Sequence, residues 1–462
     1  MANHCGYIIG VKNLRPHNNA DRLQILEIFG TETCVSLNVK NGDIGVYFPT
    51  DLQLSEEFCV ANNLVRKKDE NGNEIGGYLD PSKRNVKCIK LRGEKSDGMY
   101  LPISCFDYLN LAEPLKVGDT IDVIEGHEIC RKYIPAVRAK ASTCSNIKAK
   151  KGKAAISPLF AEHVDTEQLP YNLDAFKSGD EIEITLKLHG TSQRTGHLPV
   201  LKSYKMSLLD KIKSLFNKDK QYGTPIYDWS YITGTRRTVI EDFDKKSYYD
   251  SNEFRSEHAK RLEGKLHKGE TVYYEVVGFQ TNGVPIMASC KNSKTADKEF
   301  IKKYGAETVF SYGCSPIGWA ENSLGKDNCP RSDMYVYRMT LTNEDGYTVE
   351  YSPDYMRYRC EQMGVKCVPV LWKGTVSENI WDETGMTAGE WVQSIAEQYY
   401  EGPDPIGKSH VREGVVVRII NRPTFKAYKY KNFHFKCLEN IIKVDATEPD
   451  MEEAQSEMAG EM

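Results

Sequence analysis

The sequence lacks the features of a secreted or membrane-spanning protein. Its 462 residues contain no apolar run long enough to cross a bilayer. The N-terminus, MANHCGYIIGVKN, has no positive segment followed by an apolar stretch, which is the pattern of a secretory signal. We therefore expect a cytoplasmic protein that does not bind membranes. The chain is also too long for one hydrophobic core, so two domains are expected.

Paired cysteines are missing as well. The 13 cysteines are scattered between Cys5 and Cys437, and no two of them form a CxxC pair. Disulfide frameworks and structural zinc sites both depend on regularly spaced cysteines. We therefore expect reduced and mostly buried thiols.

The charge is not strongly biased to one sign. The chain has 61 Lys and Arg against 65 Asp and Glu, for a formal net charge of −4. Seven of the acids lie in the last 19 residues, 444–462, which contain no Lys or Arg. We predict that this acidic tail is disordered. Because the overall charge says little about nucleic-acid binding, local patches have to be considered instead.

Secondary-structure patterns divide the chain into two main parts. Residues 1–130 consist of short β segments separated by turn residues, which favours a small closed or partly closed β-barrel. Residues 131–160 are rich in Lys, Ala and Ser, with Lys148, Lys150, Lys151 and Lys153 close together, and indicate an exposed basic linker. Residues 161–443 mix strands with helices, so the predicted fold class is multidomain α+β.

Within 161–443 the patterns predict particular elements. Strand candidates, rich in β-branched and aromatic residues, are EIEITLKL, TVYYEVVGF, MYVYRMTL, GYTVEYS and EGVVVRII. Helix candidates, with apolar residues three or four apart, are LLDKIKSLFN, KEFIKKYG and AGEWVQSIAEQYY.

The most informative segment is EIEITLKLHGTS, a strand that carries Lys187 and then breaks at Gly190. A lysine at a strand end is usually only an exposed cation, but two carboxylates accompany this one. Glu275 and Glu413 lie in β-rich, apolar segments, where a carboxylate is expensive to bury unless it is paired or bound to a cation. A basic stretch, FKAYKYKNFHFK, follows with Lys426, Lys429, Lys431 and Lys436. This combination suggests a site that handles phosphate and metal.

These segments resemble the motifs of covalent nucleotidyltransferases, in the order found in ATP-dependent RNA ligases. KLHG is similar to motif I, the Glu275 strand to motif III, YVYRMT to motif IIIa, EGVVVR to motif IV and KYK to motif V. KxHG is similar to the spelling of the phage RNA ligase 2 group, whereas DNA ligases and capping enzymes more often have KxDG. Each motif alone is a weak signal, but five in order over residues 187–431 are specific.

The resemblance implies a role for each of these positions. Lys187 is the expected nucleophile, which attacks the α-phosphorus of ATP and forms a lysyl-AMP phosphoramidate. The attacking amine has to be neutral, and the cations of Lys429 and Lys431 are expected to help by lowering its pKa and by neutralising phosphate charge. Glu413 and Glu275 are expected to bind Mg²⁺ or Mn²⁺, directly or through water, with the ribose as an alternative partner of Glu275.

The remaining nucleotide contacts are predicted with alternatives open. ITGTRRTVI is similar to motif Ia, in which either Arg236 or Arg237 contacts the nucleotide or the substrate end. Tyr337 is the candidate platform under adenine, with a position in the core as an equal alternative and Tyr335 as a competitor. His189, next to Gly190 in the turn, has two open roles: a hydrogen bond to phosphate or pyrophosphate, or a cap on the turn.

A neighbouring position and the N-terminal part complete the resemblance. Ser192 stands where the RNA ligase 2 group often has Asn.

In the N-terminal part, HNNADRLQILEIFG and KCIKLRGEKSDGMYLP resemble an OB-type tRNA-binding module. OB folds bind oligonucleotides through a curved sheet and its loops. The resemblance implies an N-terminal OB-type β-barrel that contacts RNA, followed by a nucleotidyltransferase domain of packed antiparallel sheets with flanking helices.

The function implied is that of an ATP-dependent RNA ligase in RNA repair. It would seal 3′-OH and 5′-phosphate ends through a lysyl-AMP intermediate and an adenylylated 5′ end, on a nicked duplex or a tRNA. An mRNA-capping guanylyltransferase or a DNA ligase is an alternative, against which the KxHG spelling and the N-terminal position of the OB-type segment speak. A non-catalytic OB-type RNA-binding protein is a third possibility, weakened by the joint presence of Lys187, Glu275, Glu413, Lys429 and Lys431.

Overall fold

The computed structural model describes residues 4–68, 74–133, 156–207, 210, 222–244, 249, 252–295, 297–318 and 329–445. Three predicted features lie largely or wholly outside these residues: the helix LLDKIKSLFN, the lysine cluster of the basic linker and the acidic tail after residue 445. Within the described part of the chain, no helix is both long and apolar enough to span a membrane. Seven of the twelve cysteines in the described part are buried.

Residues 4–133 form a β-rich unit, called the N-terminal module below. One antiparallel sheet has the order Met99–Pro102, Ile44–Phe48, Gly6–Gly10 and Thr120–Ile121, and a second contains Leu14–Pro16, Leu23–Ile28 and Thr31–Ser36. Paired shorter strands are Cys88–Leu91 with Glu94–Asp97, Leu52–Leu54 with Cys130–Lys132, Arg66–Lys68 with Glu74–Gly76, and Val123–Ile124 with His127–Glu128. The first sheet packs on one core that includes Ile8, Phe48 and Phe58. A second core, which includes Tyr7 and Leu26, joins it to the second sheet. A closed barrel stays a prediction.

The second part of the chain contains two larger sheets. The five-stranded sheet has the order Glu167–Gln168, Lys426–Lys431, Gly414–Ile419, Glu181–Lys187 and Val370–Thr375. The six-stranded sheet has the order Thr224–Gly234, Thr191–Lys205, Glu270–Gly278, Ser332–Thr342 and Thr348–Glu350, with Lys366–Cys367 paired to Ser332–Thr342. A separate two-stranded antiparallel pair consists of Cys290–Lys291 and Glu307–Thr308. The predicted combination of antiparallel sheets and helices is confirmed.

Helices flank these sheets. The α-helices are Glu56–Ala61, Glu253–Lys260, Lys298–Tyr304, Pro353–Met363, Ile380–Thr384, Ala388–Tyr400 and Phe433–Asp445. Single-turn or short 3₁₀ segments are Ile103–Leu109, Leu169–Tyr171, Leu173–Ala175 and Asn292–Thr295. Ala388–Tyr400 begins with a capping box, in which the Thr387 side chain accepts from the Glu390 N–H and the Glu390 side chain accepts from the Thr387 N–H. The predicted helices KEFIKKYG and AGEWVQSIAEQYY are thus found.

The strand Glu181–Lys187 shows why the five-stranded sheet has two different faces. Its side chains alternate, so Ile182 and Ile184 are fully buried on one face, in a core shared with the helix Ala388–Tyr400. Thr185 and Lys187 lie on the opposite face. The polar end of this second face forms the candidate site.

The N-terminal module packs against the helix Phe433–Asp445. Lys436 of this helix forms an ion pair with Asp97 of the module, and Cys437 Sγ lies 3.7 Å from Cys88 Sγ. A second contact places the Lys95 ammonium 5.2 Å from the centre of the Phe433 ring. The module therefore touches the segment that directly follows the Lys426–Lys431 strand.

Candidate active site

The candidate site begins where three neighbouring strands bring their polar side chains together. Lys187 pairs with Gly414, and Gly414 pairs with Lys431 on its other side. Residues directly opposite in adjacent strands project to the same face, and so do residues two apart in one strand, so Lys187, Lys431 and Lys429 share a face. Gly414 lies between two of the lysines at φ +147°, and a Cβ there would meet the Tyr430 carbonyl oxygen at 2.0 Å. Glycine is therefore required between the two lysines.

Glu413 is the anionic centre of this cluster. Its Oε1 lies 2.6 Å from Lys187 Nζ, and the Glu413 side chain is only 3% exposed. Its Oε2 is buried and has no hydrogen-bond partner among the described residues. The nearest ring nitrogen, Nδ1 of His189, lies 3.9 Å away. A buried carboxylate oxygen without a partner is costly, so this oxygen points to a ligand that binds there.

The donor set fits a hydrated divalent cation rather than a closed metal cage. Over the described residues, no group of three His, Cys, Asp or Glu side chains is arranged to hold a metal. Mg²⁺ commonly uses only one or two carboxylates, keeps several waters and takes further oxygens from substrate phosphates. The unpartnered oxygen of Glu413 suits that mode of binding.

Glu275 lies on the adjacent sheet and already has a protein partner. Ser192 pairs with Glu275 across the two strands, and the Ser192 hydroxyl donates to Glu275 Oε2 over 3.1 Å. Ser192 therefore makes a polar contact at the site. Both Glu275 and Glu413 act electrostatically on the Tyr312 hydroxyl, so the two carboxylates lie near the same group.

Gly190 brings the two sheets together at the KLHG turn. A Cβ on this residue would lie 2.4 Å from the Val276 carbonyl oxygen and 2.8 Å from Glu275 Cγ. Close approach of the backbones therefore requires glycine at this position. The consequence is that the Lys187 strand and the Glu275 strand meet at the site.

The two downstream lysines have different environments. Burial, helped by the charges of Lys431 and Lys187, lowers the pKa of Lys429 to about 8. Lys431 is instead held by Glu439, whose two carboxylate oxygens lie 2.8 and 2.7 Å from its Nζ. Lys431 Nζ also lies 3.9 Å from Glu413 Oε1. The predicted cationic cluster is therefore partly neutralised by an acid that sequence reasoning missed.

His189 lies in an aromatic slot. Its ring packs edge-to-face against Phe310 and Phe435, with ring centres 4.6 and 4.8 Å away. Burial lowers the pKa of His189 to about 4, so the ring is neutral near pH 7. Its backbone N–H donates to the Tyr312 hydroxyl over 2.7 Å, which fixes the turn from the side. His189 can therefore offer a neutral hydrogen-bonding group to a phosphate but no positive charge.

Arg236 and Arg237 share one carboxylate. Asp165 Oδ1 lies 3.0 Å from an Arg236 nitrogen, and Asp165 Oδ2 lies 3.2 Å from an Arg237 nitrogen. Arg236 is the less exposed of the two, and its charge contributes to the lowered pKa of Lys429. Arg236 therefore acts electrostatically on the lysine cluster.

The two candidates for the adenine platform, Tyr335 and Tyr337, differ in how deeply they are buried. Tyr335 is 5% exposed and belongs to an apolar core with Val277 and Val368. Tyr337 is more accessible. The strand pairing passes over it, because Tyr273 pairs with Arg338 and the next residue, Tyr274, pairs with Val336, so Tyr337 lies at a bulge of the Ser332–Thr342 strand. Its hydroxyl lies 3.4 Å from His163 Nδ1. Tyr337 therefore remains the candidate adenine platform.

The structure thus brings one group of predicted residues into direct contact and others close to it. The directly connected group is Lys187, His189, Glu413 and Lys431, with Lys429 on the same face. Sequence reasoning missed Glu439, Tyr312, Asp165 and the two phenylalanines around His189. These residues belong to none of the motifs. Asp165 precedes the strand Glu167–Gln168, Phe310 and Tyr312 follow the strand Glu307–Thr308, and Phe435 and Glu439 lie on the helix Phe433–Asp445.

Comparisons with known proteins agree with this arrangement. A family model described as RNA ligase matches residues 180–438. No curated protein matches the sequence. Among solved structures, Naegleria gruberi RNA ligase with PPi has a TM-score of 0.53 at 16% identity, over 94% of this chain and 97% of that chain. A mutant of the same protein with ATP and Mn has a TM-score of 0.51 at 16% identity, over 94% of this chain and 97% of that chain. At this identity the likeness shows a shared fold.

Proposed function

This chain belongs to the RNA ligase family, and we propose that it is an ATP-dependent RNA ligase that joins 3′-OH and 5′-phosphate RNA ends in RNA repair. The observation that carries the proposal is the contact of Lys187 Nζ with Glu413 Oε1 at 2.6 Å, beside a buried carboxylate oxygen that has no partner in the described structure. A lysine, a cation-binding carboxylate and further lysines on one face suit nucleotidyl transfer. The family match favours RNA ligation over mRNA capping or DNA ligation.

The first step proposed is self-adenylylation. Lys187 Nζ attacks the α-phosphorus of ATP, a nitrogen–phosphorus bond forms, and the bond from that phosphorus to pyrophosphate breaks. The amine has to lose its proton before it attacks, and Glu413 Oε1 is the nearest acceptor. Lys429 and Lys431 face the same space and stabilise the charge on the transferring phosphate.

A divalent cation, Mg²⁺ or Mn²⁺, fits beside these residues. It supplies neutralisation of phosphate charge when bound. Glu413 Oε2 is the oxygen that would hold it, with Glu275 contributing through a water or instead binding the ribose. The solved Naegleria gruberi RNA ligase carries ATP and Mn in one mutant and AMP and Mn in another, which supports ATP as the AMP donor here.

The remaining site residues are proposed to orient the nucleotide. Tyr337 supports the adenine ring, Arg236 contacts a phosphate or the substrate end, and the neutral His189 hydrogen-bonds a phosphate at the turn. Gly190 permits the close approach of the two sheets that brings these groups together.

The second and third steps require two RNA ends. AMP passes from Lys187 to the 5′-phosphate, and the 3′-OH then displaces AMP to form the new phosphodiester bond. We propose that the N-terminal module is an OB-type unit that helps to hold these ends, on a nicked duplex or a tRNA. Its small antiparallel sheets and its contact with the helix after Lys431 support this role. The scattered and mostly buried cysteines support a cytoplasmic, reducing setting.

The direct test is intact mass spectrometry after incubation with ATP and Mg²⁺. The wild-type protein should gain one acid-labile AMP adduct. Lys187→Ala and Lys187→Arg should both lose it, because the nucleophile is a specific amine and a guanidinium stays protonated. An adduct that forms undiminished in either variant would refute Lys187 as the nucleophile. The same protein should then seal a 5′-phosphorylated RNA nick.

A further inference from the structure

Glu439 makes a close contact with the candidate active site. Both of its carboxylate oxygens lie within 2.8 Å of Lys431 Nζ, and the glutamate is 7% exposed. Bidentate contacts of this kind fix a long, flexible side chain in one position, particularly where water is excluded. Lys431 is therefore held at its far end by a residue of the helix Phe433–Asp445.

The position of Lys431 matters because of what lies on its other side. Its Nζ is 3.9 Å from Glu413 Oε1, the same oxygen that lies 2.6 Å from Lys187 Nζ. Lys431 and Glu413 thus already form a long ion pair, and a Lys431 side chain released from Glu439 would need to move by only about 1 Å to shorten it to hydrogen-bond distance. It would then compete with Lys187 for that oxygen. Glu439 and Glu413 thus attract the Lys431 ammonium in different directions.

The helix that carries Glu439 is attached to the N-terminal module. Lys436 lies three residues before Glu439, hence on the same side of the helix, and pairs with the buried Asp97 of the module. Burial favours the neutral form of Lys436, but the Asp97 charge outweighs it and raises the pKa of this lysine. A cavity of ≈ 330 Å³ is lined by Asp97, Lys431 and Lys436 together. The module, the helix and the site are therefore physically continuous.

We propose that Glu439 is a positioning residue that keeps the Lys431–Glu413 ion pair long and so leaves Glu413 Oε1 to Lys187, and that the Asp97–Lys436 ion pair lets the N-terminal module hold the helix that carries Glu439. The proposal rests on the proposed function, since it concerns the adenylylation step of that same site. It assigns the N-terminal module a part in the first chemical step besides any contact with RNA.

The test is single-turnover formation of the AMP adduct by the full chain at several ATP concentrations. Glu439→Gln keeps the shape and removes the charge, and we expect its rate at saturating ATP to fall about 10- to 100-fold, as a displacement near 1 Å can cause. We expect the apparent KM for ATP to change less than about threefold, because the defect is one of alignment. Glu439→Asp keeps the charge and should lose less than Glu439→Gln.

A double-mutant cycle separates positioning from a general structural role. If Glu439 acts through Lys431, then Glu439→Gln should change the rate by less than about twofold in a Lys431→Met background. The matched control is Glu270→Gln, which neutralises a fully buried glutamate at the first residue of the strand Glu270–Gly278, where its ion pair is with Arg359 and not with a residue of the site. This control is expected to lower the melting temperature and leave the adenylylation rate unchanged.

A variant of Asp97 tests whether the N-terminal module acts on the site through the helix Phe433–Asp445. Asp97→Asn should slow adduct formation in the wild-type background and have little effect when Lys436 is already Met. The proposal is overturned if Glu439→Gln adenylylates at the wild-type rate, if it costs as much without Lys431 as with it, or if the Asp variant is as slow as the Gln variant. A link to the module is overturned if Asp97→Asn has no effect on the rate. A wild-type protein that forms no adduct at all would refute the proposed function instead, so the two failures are distinguishable.

Discussion

If Lys429 contacts the phosphates of ATP as proposed, ATP binding should depend on pH in a predictable direction. The pKa of this lysine is lowered to about 8, first because it is buried and then because Lys431 and Lys187 place positive charge nearby. A group with a depressed pKa is charged below that pH and neutral above it. The ammonium that can attract nucleotide phosphates is therefore lost as the pH rises through about 8.

The size of the effect follows from the charged fraction. With a pKa of about 8, roughly nine-tenths of the Lys429 side chains are protonated at pH 7 and roughly one-tenth at pH 9. If only the protonated form binds ATP well, the apparent dissociation constant scales inversely with this fraction. It should therefore rise about tenfold between pH 7 and pH 9.

The assay is equilibrium ATP binding in a Lys187→Arg background, in which no adduct forms and the positive charge that helps to lower the pKa of Lys429 is kept. Lys429→Arg, which stays charged throughout, should remove the pH dependence. Lys429→Met should bind ATP more weakly, and its affinity for ATP should likewise not change with pH. The reasoning is refuted if the parent protein binds ATP equally well at pH 7 and pH 9, or if Lys429→Met retains the same tenfold loss.

Two further predictions concern Glu413 and Gly190. Glu413→Gln should reduce adduct formation at least about 100-fold, because the charge of Glu413 is expected to orient Lys187 and a cation. The melting temperature should stay within a few degrees, because the side-chain volume is kept. Recovery of the full rate at high Mg²⁺ and ATP would contradict a role in catalysis. Gly190→Ala should destabilise the fold by about 1–3 kcal/mol and slow adduct formation, because the new Cβ would lie 2.4 Å from a carbonyl oxygen of the neighbouring strand. Urea unfolding and adduct formation measure the two effects, and an alanine variant that matches the wild type in both would show that the turn can relax.

Sequence reasoning succeeded where chemistry or periodicity is local. The alternation in EIEITLK indicates a strand with one apolar face, and the structure has a strand at Glu181–Lys187 with Ile182 and Ile184 buried. The helix predicted from AGEWVQSIAEQYY is found at Ala388–Tyr400, where apolar spacing and a capping box agree. By contrast, the long polar strand Thr191–Lys205 has a weak alternation and was not predicted. Its pairing with two neighbours stabilises it, and a local pattern does not reveal such partners.

The types of residue at the candidate site were also readable from the sequence, because a lysine at the end of a strand, carboxylates in apolar strands and a basic stretch are local features. Their surroundings were not. The role of His189 depends on Phe310 and Phe435, which lie far from it along the chain and make its ring neutral. Tyr335 and Tyr337 look alike in the sequence, and a shift in strand pairing separates a core residue from an accessible one.

By itself, then, the sequence determined the family, the order of the motifs and the strands and helices that have strong local periodicity. Tertiary structure alone decided the electrostatic balance of the site: Glu439 neutralises Lys431, Glu413 shares one oxygen between two lysines, and the N-terminal module reaches the helix after the last motif. The physical reason is that periodicity records which face of an element is buried, whereas an ion pair depends on which distant element covers that face. Charges separated by few residues or by hundreds interact equally once folding brings them within a few ångströms in a medium that excludes water.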